Sequence, residues 1–209
     1  MRPVPGAGPN TRGPILSRMR SDSAESLRRL LLPLELAEAE LSAKPAAAVM
    51  VVLREGPRGL EVLLARRVAR EGDPWSGQVG LPGGRHRPAD GTILETALRE
   101  TREEVGLDLR GSAEVLGHMP PRAPGNRLEM LVVPYVALAR RPLEPSPGPE
   151  MASAFWCPLA DLPATRTTAV VPTILGELTV PAFVHRGEVI WGFTYRLLEE
   201  LLVLLGLRA

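Results

Sequence analysis

Cysteine occurs once in the 209 residues, at Cys157, and lysine once, at Lys44. A single cysteine excludes an intrachain disulfide framework and a cysteine-built zinc site. No Gly-Lys-Ser/Thr occurs, which excludes a P-loop, and Lys44 is left as the one candidate Schiff-base lysine. The three histidines, His86, His118 and His185, form no His-x-x-x-His and argue against a histidine metal site. Aromatic residues are 4% of the chain, no apolar run approaches the length of a membrane span, and residues 1–20 lack a secretory h-region. The net charge of +1 offers no concentrated basic face for nucleic acid or membrane. What is abundant is 24 arginines and 24 acidic residues, in a chain that is 44% apolar and rich in glycine and proline. One core of this size folds without a staple.

Residues 1–20 hold four arginines and no acid, which reads as a basic tail and also suits an organelle transit segment. Without a clear targeting signal, cytoplasm is the default location. Asp22-Ser23-Ala24-Glu25 has capping-box spacing, and Leu27, Leu30 and Leu31 follow at helical intervals. This predicts a helical arm over 21–44, interrupted at Pro33, before a main domain over 45–209. Ala46–Leu53 reads as a buried strand, Gly56–Gly59 as a turn and Leu60–Ala65 as the return strand. Residues 68–91 read as loop, Thr92–Val105 as a helix stopped by Gly106, and Ala113–His118, Glu129–Ala139 and Ala152–Cys157 as strands. A leucine-dense helix over Phe193–Leu205 ends the pattern. The order implies one α/β domain, a mixed sheet with helices on both faces.

The chemistry concentrates in Thr92–Val105. At about 100° per residue, Leu94, Ala97, Leu98, Thr101 and Val105 share a core-facing arc, and Glu100, Glu103 and Glu104 share the adjacent one. Like charges at these spacings repel unless neutralised, and Arg99 stands within reach of Glu95 and Glu103. A hard divalent cation such as Mg²⁺ suits a few carboxylates plus phosphate oxygens. Gly83-Gly84 just ahead can turn a backbone carbonyl to the same point and let phosphates approach closely. A merely solvated glutamate face is the bland alternative.

Residues 84–107 resemble the Nudix box, G-x5-E-x7-R-E-U-x-E-E-x-G-U with U apolar. Arg99-Glu100-Thr101-Arg102-Glu103-Glu104-Val105-Gly106-Leu107 matches its second half, with Thr101 at an apolar position. The first half is one residue too long: Asp90 stands where the first Glu is counted from Gly84, and Gly91 where it is counted back from Arg99. Altered geometry is expected there. Upstream, Leu63-Leu64-Ala65-Arg66-Arg67 and Gly77-Gln78-Val79-Gly80-Leu81-Pro82-Gly83-Gly84 are similar to the coenzyme A diphosphatase signature L-L-T-x-R-(S/A)-x3-R-x3-G-x3-F-P-G-G. Ala65, Val68, Leu81 and, counted back from Gly77, Asp73 depart from it. The stretches 73–78 and 190–196 resemble bacterial proteins grouped with that branch.

The resemblance implies a Nudix α/β/α sandwich, with a mixed central β-sheet, that hydrolyses a diphosphate with Mg²⁺ or Mn²⁺. It implies Glu100 and Glu104 as principal metal ligands, with Glu103 and the Gly83 carbonyl completing the shell and Arg99 orienting the carboxylates. The general base falls on Glu103 or on Glu150, which follows the proline-rich segment 141–149, as a loop glutamate does in the family. Arg66, Arg67, Arg85 and Gly84 are candidates for the substrate, among arginines that also include Arg70, Arg87, Arg122 and Arg127. Coenzyme A or its thioesters, giving 3′,5′-ADP and 4′-phosphopantetheine, is the substrate expected. The same chemistry on ADP-ribose, NADH, dinucleoside polyphosphates or nucleoside triphosphates is the alternative, and a Nudix-fold binding module without turnover is the alternative of another class. The partner implied is a small nucleotide-type molecule, with neither nucleic acid nor membrane. Homodimers are frequent in the family, and the N-terminal helix is a candidate dimer arm. Trp156 and Trp191 read as core anchors and Cys157 as a small core residue.

Overall fold

The structure is a computed structural model that describes residues 23–36, 46–71, 76–125, 129–173 and 176–207. The expected tail lies outside those residues, as do 21–22 and 37–44 of the expected arm.

The apolar run beginning at Ala46 forms strand β1 (Ala46–Gly56), which turns through Pro57-Arg58 into β2 (Gly59–Arg67). Gly59 adopts φ 104°, a conformation that glycine enters without steric cost. Two short strands, β3 (Val79–Gly80) and β4 (Gly83–Arg85), follow, and then helix α1 (Ile93–Val105). Strands β5 (Ala113–His118), β6 (Leu131–Ala139) and β7 (Met151–Pro158) complete a seven-stranded sheet in the order β3-β2-β1-β6-β5, with β4 on β1 and β7 on β2. Only β1 and β6 pair in parallel; the other pairs are antiparallel, so the sheet is mixed. A second, three-stranded sheet is formed by β8 (Arg166–Thr173), β9 (Gly176–His185) and β10 (Glu188–Trp191), and helix α2 (Gly192–Leu204) ends the fold.

The period of two along β1 and β2 divides the interior. Ala48, Met50, Val52, Leu63 and Ala65 face α1 with Ile93, Ala97, Val105 and Tyr135. Val51, Leu53, Val62 and Leu64 face α2 with Leu197, Leu198, Leu201 and Leu202. Burying both sheet faces against helices makes the α/β/α sandwich. Cys157 and Trp156 are buried in these cores, as the sequence implied. The helical residues 23–28 place Ala24 and Leu27 in the α2-side core, and Leu32 pairs through both backbone groups with His118 (2.9 and 3.0 Å). This segment is packed on its own domain.

Two expectations are corrected. Residues 68–91 are not all loop: β3 and β4 lie within them, because Gly and Pro there interrupt pairing without preventing it. The buried stripe of α1 is Ile93, Thr96, Ala97, Thr101, Glu104 and Val105, while Leu94 and Leu98 are half-buried. The helix is turned so that Glu104 faces inward, toward donors supplied by β2 and β4.

Thr92 caps α1: its side-chain oxygen accepts from the Glu95 N–H at 3.1 Å. Thr92→Ala is expected to cost about 1 kcal/mol of stability, read from urea unfolding midpoints at constant slope. At the other end Gly106 takes φ 69°, and the proline-rich segment closes the helix: Ser146 N–H bonds the Val105 carbonyl (2.9 Å) and Gly148 N–H the Glu104 carbonyl (2.8 Å).

Candidate functional site

β1 pairs with β2 only from Leu53 to Gly56, and nearer its start with β4, from Ala47 to Val49. The two long strands therefore diverge, and the segment from β3 to β4 fills the fork. Met50 N–H bonds the Pro82 carbonyl and His86 N–H the Ala46 carbonyl, so the intervening odd position, Gly83, turns its backbone groups away from β1. Its N–H donates to Glu104 Oε2 at 2.9 Å. A side chain at Gly83 would overlap the Ala48 carbonyl oxygen, and one at Gly84 would overlap the Glu100 carboxylate. The two glycines thus bring bare backbone against the glutamate face of α1, the juxtaposition expected from the sequence.

Arg99 organises one half of that face. Its Nη1 donates to Glu100 Oε1 (2.8 Å) and to Glu103 Oε2 (2.9 Å). Its Nε and Nη2 hold Asp90 at 2.7 and 3.1 Å. Asp90 also accepts the Thr96 hydroxyl and the Arg87 N–H, and His86 Nδ1 lies 2.8 Å from Thr96 Oγ1. The guanidinium of Arg99 holds the Asp90 carboxyl well below the ordinary carboxylate range, and Asp90 in turn raises the Arg99 pKa. The extra residue between Gly84 and Arg99 is taken up by a 3-10 turn, Pro88–Asp90, with Gly91 at φ 76°. Asp90 is the anchor of Arg99, a role that the sequence did not assign. Its shorter side chain, carried by the bulged turn, was the available signal. The expected Arg99–Glu95 pairing is not found: Glu95 pairs with Arg110, because the start of α1 faces the chain after its end.

Arg67 organises the other half. Lying two residues beyond Ala65, it shares the α1-side face of β2, and its Nη1 donates to Glu104 Oε1 and its Nη2 to Glu150 Oε2, each at 3.1 Å. Glu150 is brought there by the clasp of residues 146–148 on α1 and by Val68 N–H, which bonds the Glu150 carbonyl at 2.9 Å. Glu104 is buried, and loss of water pushes its carboxyl up to about 7, against the Gly83 N–H and Arg67, which lower it; the charges of Glu100 and Glu150 raise it further. Glu103 is half exposed. Of the remaining arginines, Arg66 lies on the opposite face of β2, 3.5 Å from Glu188 of β10, and is not brought to the carboxylates. Arg85 is exposed at the end of β4, Arg122 pairs with Glu200 of α2, and Arg127 lies outside the described residues, as do Asp73 and Trp75.

The donors gathered here are all oxygens: Glu100, Glu103, Glu104 and Glu150, with the backbone of Gly83 beside them. Such a set fits a hard divalent ion rather than a thiophilic one. Burial of one carboxylate among three others also creates a demand for positive charge. Among the described residues no three acidic, histidine or cysteine side chains converge, as they stand, on one metal-sized point. Arg99 draws Glu100 and Glu103 to one side, and Arg67 draws Glu104 and Glu150 to the other.

The NUDIX domain profile matches residues 44–175. The human mitochondrial coenzyme A diphosphatase NUDT8 is 35% identical over 192 residues, covering 88% of this chain and 80% of the human protein. The peroxisomal coenzyme A diphosphatase ndx-8 of Caenorhabditis elegans is 36% identical over 141 residues, 66% of this chain and 58% of that protein. Among solved structures, the NUDIX domain of Shewanella oneidensis NrtR complexed with ADP ribose is 25% identical, covers 59% of this chain and 78% of its own, and superposes with a TM-score of 0.46. The names of the two relatives place them in mitochondria and peroxisomes, beside the cytoplasmic default read from this sequence. Among the described residues no helix is long and apolar enough to cross a membrane. With its box of glutamates on α1, its glycine backbone at the fork of the sheet and a profile match over most of its length, this chain belongs to the Nudix family and is a pyrophosphohydrolase.

Proposed function

We propose that this enzyme cleaves the diphosphate of coenzyme A or its thioesters, giving 3′,5′-ADP and 4′-phosphopantetheine, with Mg²⁺ or Mn²⁺. The observation that carries the reading is the meeting of Arg67, a position of the coenzyme A signature, with Glu104 of the box and with Glu150. The two relatives named as coenzyme A diphosphatases support it.

Glu100 and Glu104 would hold the cation, assisted by Glu103 and the Gly83 carbonyl; when bound, it would neutralise the diphosphate and lower the pKa of water, so that water more readily gives up a proton and attacks phosphorus. The chain's own residues do the rest. Arg99, locked by Asp90, fixes Glu100 and Glu103 in direction before substrate arrives. Glu103 and Glu150, both about half exposed, would be the two carboxylates to take a proton from water. The absence of side chains at Gly83 and Gly84 lets their backbone lie against β1 and against the Glu100 carboxylate, beside the carboxylates that would meet the phosphates. Arg85, exposed at the end of β4, would be the guanidinium for a further phosphate of the substrate.

Incubation with Mg²⁺ or Mn²⁺ and coenzyme A, ADP-ribose, NADH or diadenosine polyphosphates, with products resolved by chromatography, tests this. Coenzyme A is expected to give 3′,5′-ADP at the highest kcat/KM of the panel. A higher kcat/KM for another member would remove the coenzyme A assignment while leaving the hydrolase.

A further inference from the structure

The four carboxylates of the site are not neutralised alike. Glu100 and Glu103 share an arginine that has its own dedicated anion, Asp90, with which it makes a two-pronged bond. Arg99 would keep its charge partnered through Asp90 whatever happened at the glutamates. Arg67 divides its two terminal nitrogens between the other two carboxylates, Nη1 going to Glu104 and Nη2 to Glu150. The oxygen of Glu104 that accepts from Arg67 is Oε1, and the other, Oε2, is occupied by the Gly83 N–H. Both oxygens of the most buried carboxylate in the cluster therefore face donors, and one of those donors is a full positive charge.

We propose that Arg67 is a positioning residue that occupies the place of a dication's charge at Glu104, and that binding of the metal displaces it from Glu104 while it keeps hold of Glu150. This rests on the metal reading of the site given above. Both Glu104 oxygens already face donors, so a dication that takes Glu104 Oε1 meets the Arg67 guanidinium there, and the two positive charges compete for it. The competition has a use. A carboxylate as buried as Glu104 would be left without a counter-charge between turnovers, and Arg67 supplies one from a rigid strand. Release from Glu104 leaves the guanidinium tethered to Glu150, so that metal occupancy and the setting of Glu150 are linked through one side chain. The role differs from that of a substrate ligand in the direction of its effect: removing a substrate ligand weakens substrate binding and leaves the metal site alone, whereas removing a competitor tightens the metal site.

The test is titration of the full chain with Mn²⁺ alone, at pH 8, by calorimetry and by the loss of the free-Mn²⁺ resonance signal. Arg67→Gln is expected to bind Mn²⁺ about tenfold more tightly than the wild-type protein, and to unfold at a lower temperature than wild type when no metal is present. Unchanged or weaker Mn²⁺ binding by the variant would overturn the inference. Should Arg67→Gln not hold its fold without metal, Arg67→Lys takes its place. A single ammonium does not span both carboxylates, and binding about threefold tighter than wild type is expected, with equal or weaker binding counting against the proposal. Failure of the wild-type protein itself to bind Mn²⁺ would remove the metal reading, and this inference with it; wild-type binding with no gain in the variant would remove the inference alone.

Discussion

Glu104→Gln is expected to lower diphosphate hydrolysis by about 10²-fold or more, because it takes away the buried carboxylate on which Gly83 and Arg67 converge. The same substitution has a second, independent signature in the metal-free protein. Burial raises the Glu104 pKa from the ordinary carboxylate range to about 7. The folded state therefore holds this proton more firmly than the unfolded chain does. Between about pH 4.5 and 7 it binds more protons, so this group's contribution to stability falls as the pH rises through that window. Glutamine does not titrate. The stability difference between variant and wild type is expected to move in the variant's favour from pH 5 to pH 8, as measured by urea unfolding in the presence of a chelator. A difference that stays flat with pH would show that Glu104 is ionised throughout. Added Mg²⁺ should reverse the trend in the wild-type protein alone, since a ligand that binds only the folded state stabilises it.

Gly83→Ala is expected to destabilise the fold by about 3 kcal/mol, with loss of activity in whatever fraction remains folded. The atoms that a methyl group would meet are the Ala48 carbonyl oxygen and the Val49 Cα, both backbone of the central strand β1, and neither can rotate out of the way. Displacing β4 from β1 would also move the N–H that Glu104 accepts. Gly84→Ala is the internal control. Its methyl meets the end of the Glu100 side chain, which can swing, so its stability cost should be nearer 1 kcal/mol while hydrolysis suffers at least as much. Chemical unfolding of the two variants side by side, with turnover measured on each, separates the backbone clash from the carboxylate displacement.

Much of this arrangement was legible before the structure. Strand β5 was read to its exact ends, β1, β2, β6 and β7 to within a few residues, and both long helices to within one, because burial on one or both faces imposes the periods of two and 3.6 on the sequence. The glutamates and glycines of the site were legible because their types and spacing are fixed by what they do. The sheet of β8, β9 and β10 was not anticipated: most of β8 and the first half of β9 are exposed, so no buried face writes a pattern into them. The tilt of α1 toward Glu104 was hidden for the opposite reason. A wheel ranks positions by hydrophobicity, and here a carboxylate is buried in preference to Leu94 and Leu98 because hydrogen-bond donors are waiting for it. The pairing of Arg99 with Glu103 was legible from their spacing, but its bond to Asp90 was not, since Asp90 comes to it through a turn whose geometry spacing alone does not give.

The proline-rich segment from Arg141 to Pro149 looks, by composition, like a stretch free to change. The bonds of Ser146 and Gly148 to the carbonyls of Val105 and Glu104, and the bond of Val68 to the next residue, Glu150, make its second half a strap fastened at both ends. A strap of this kind tolerates new residues but not a new length. One residue inserted or deleted between Ser146 and Glu150 would have to break one of these bonds, because Trp156 and Cys157, buried on opposite faces, hold β7 in register. Among homologous chains, the count of residues between the box and that glutamate should accordingly drift far less than their identity.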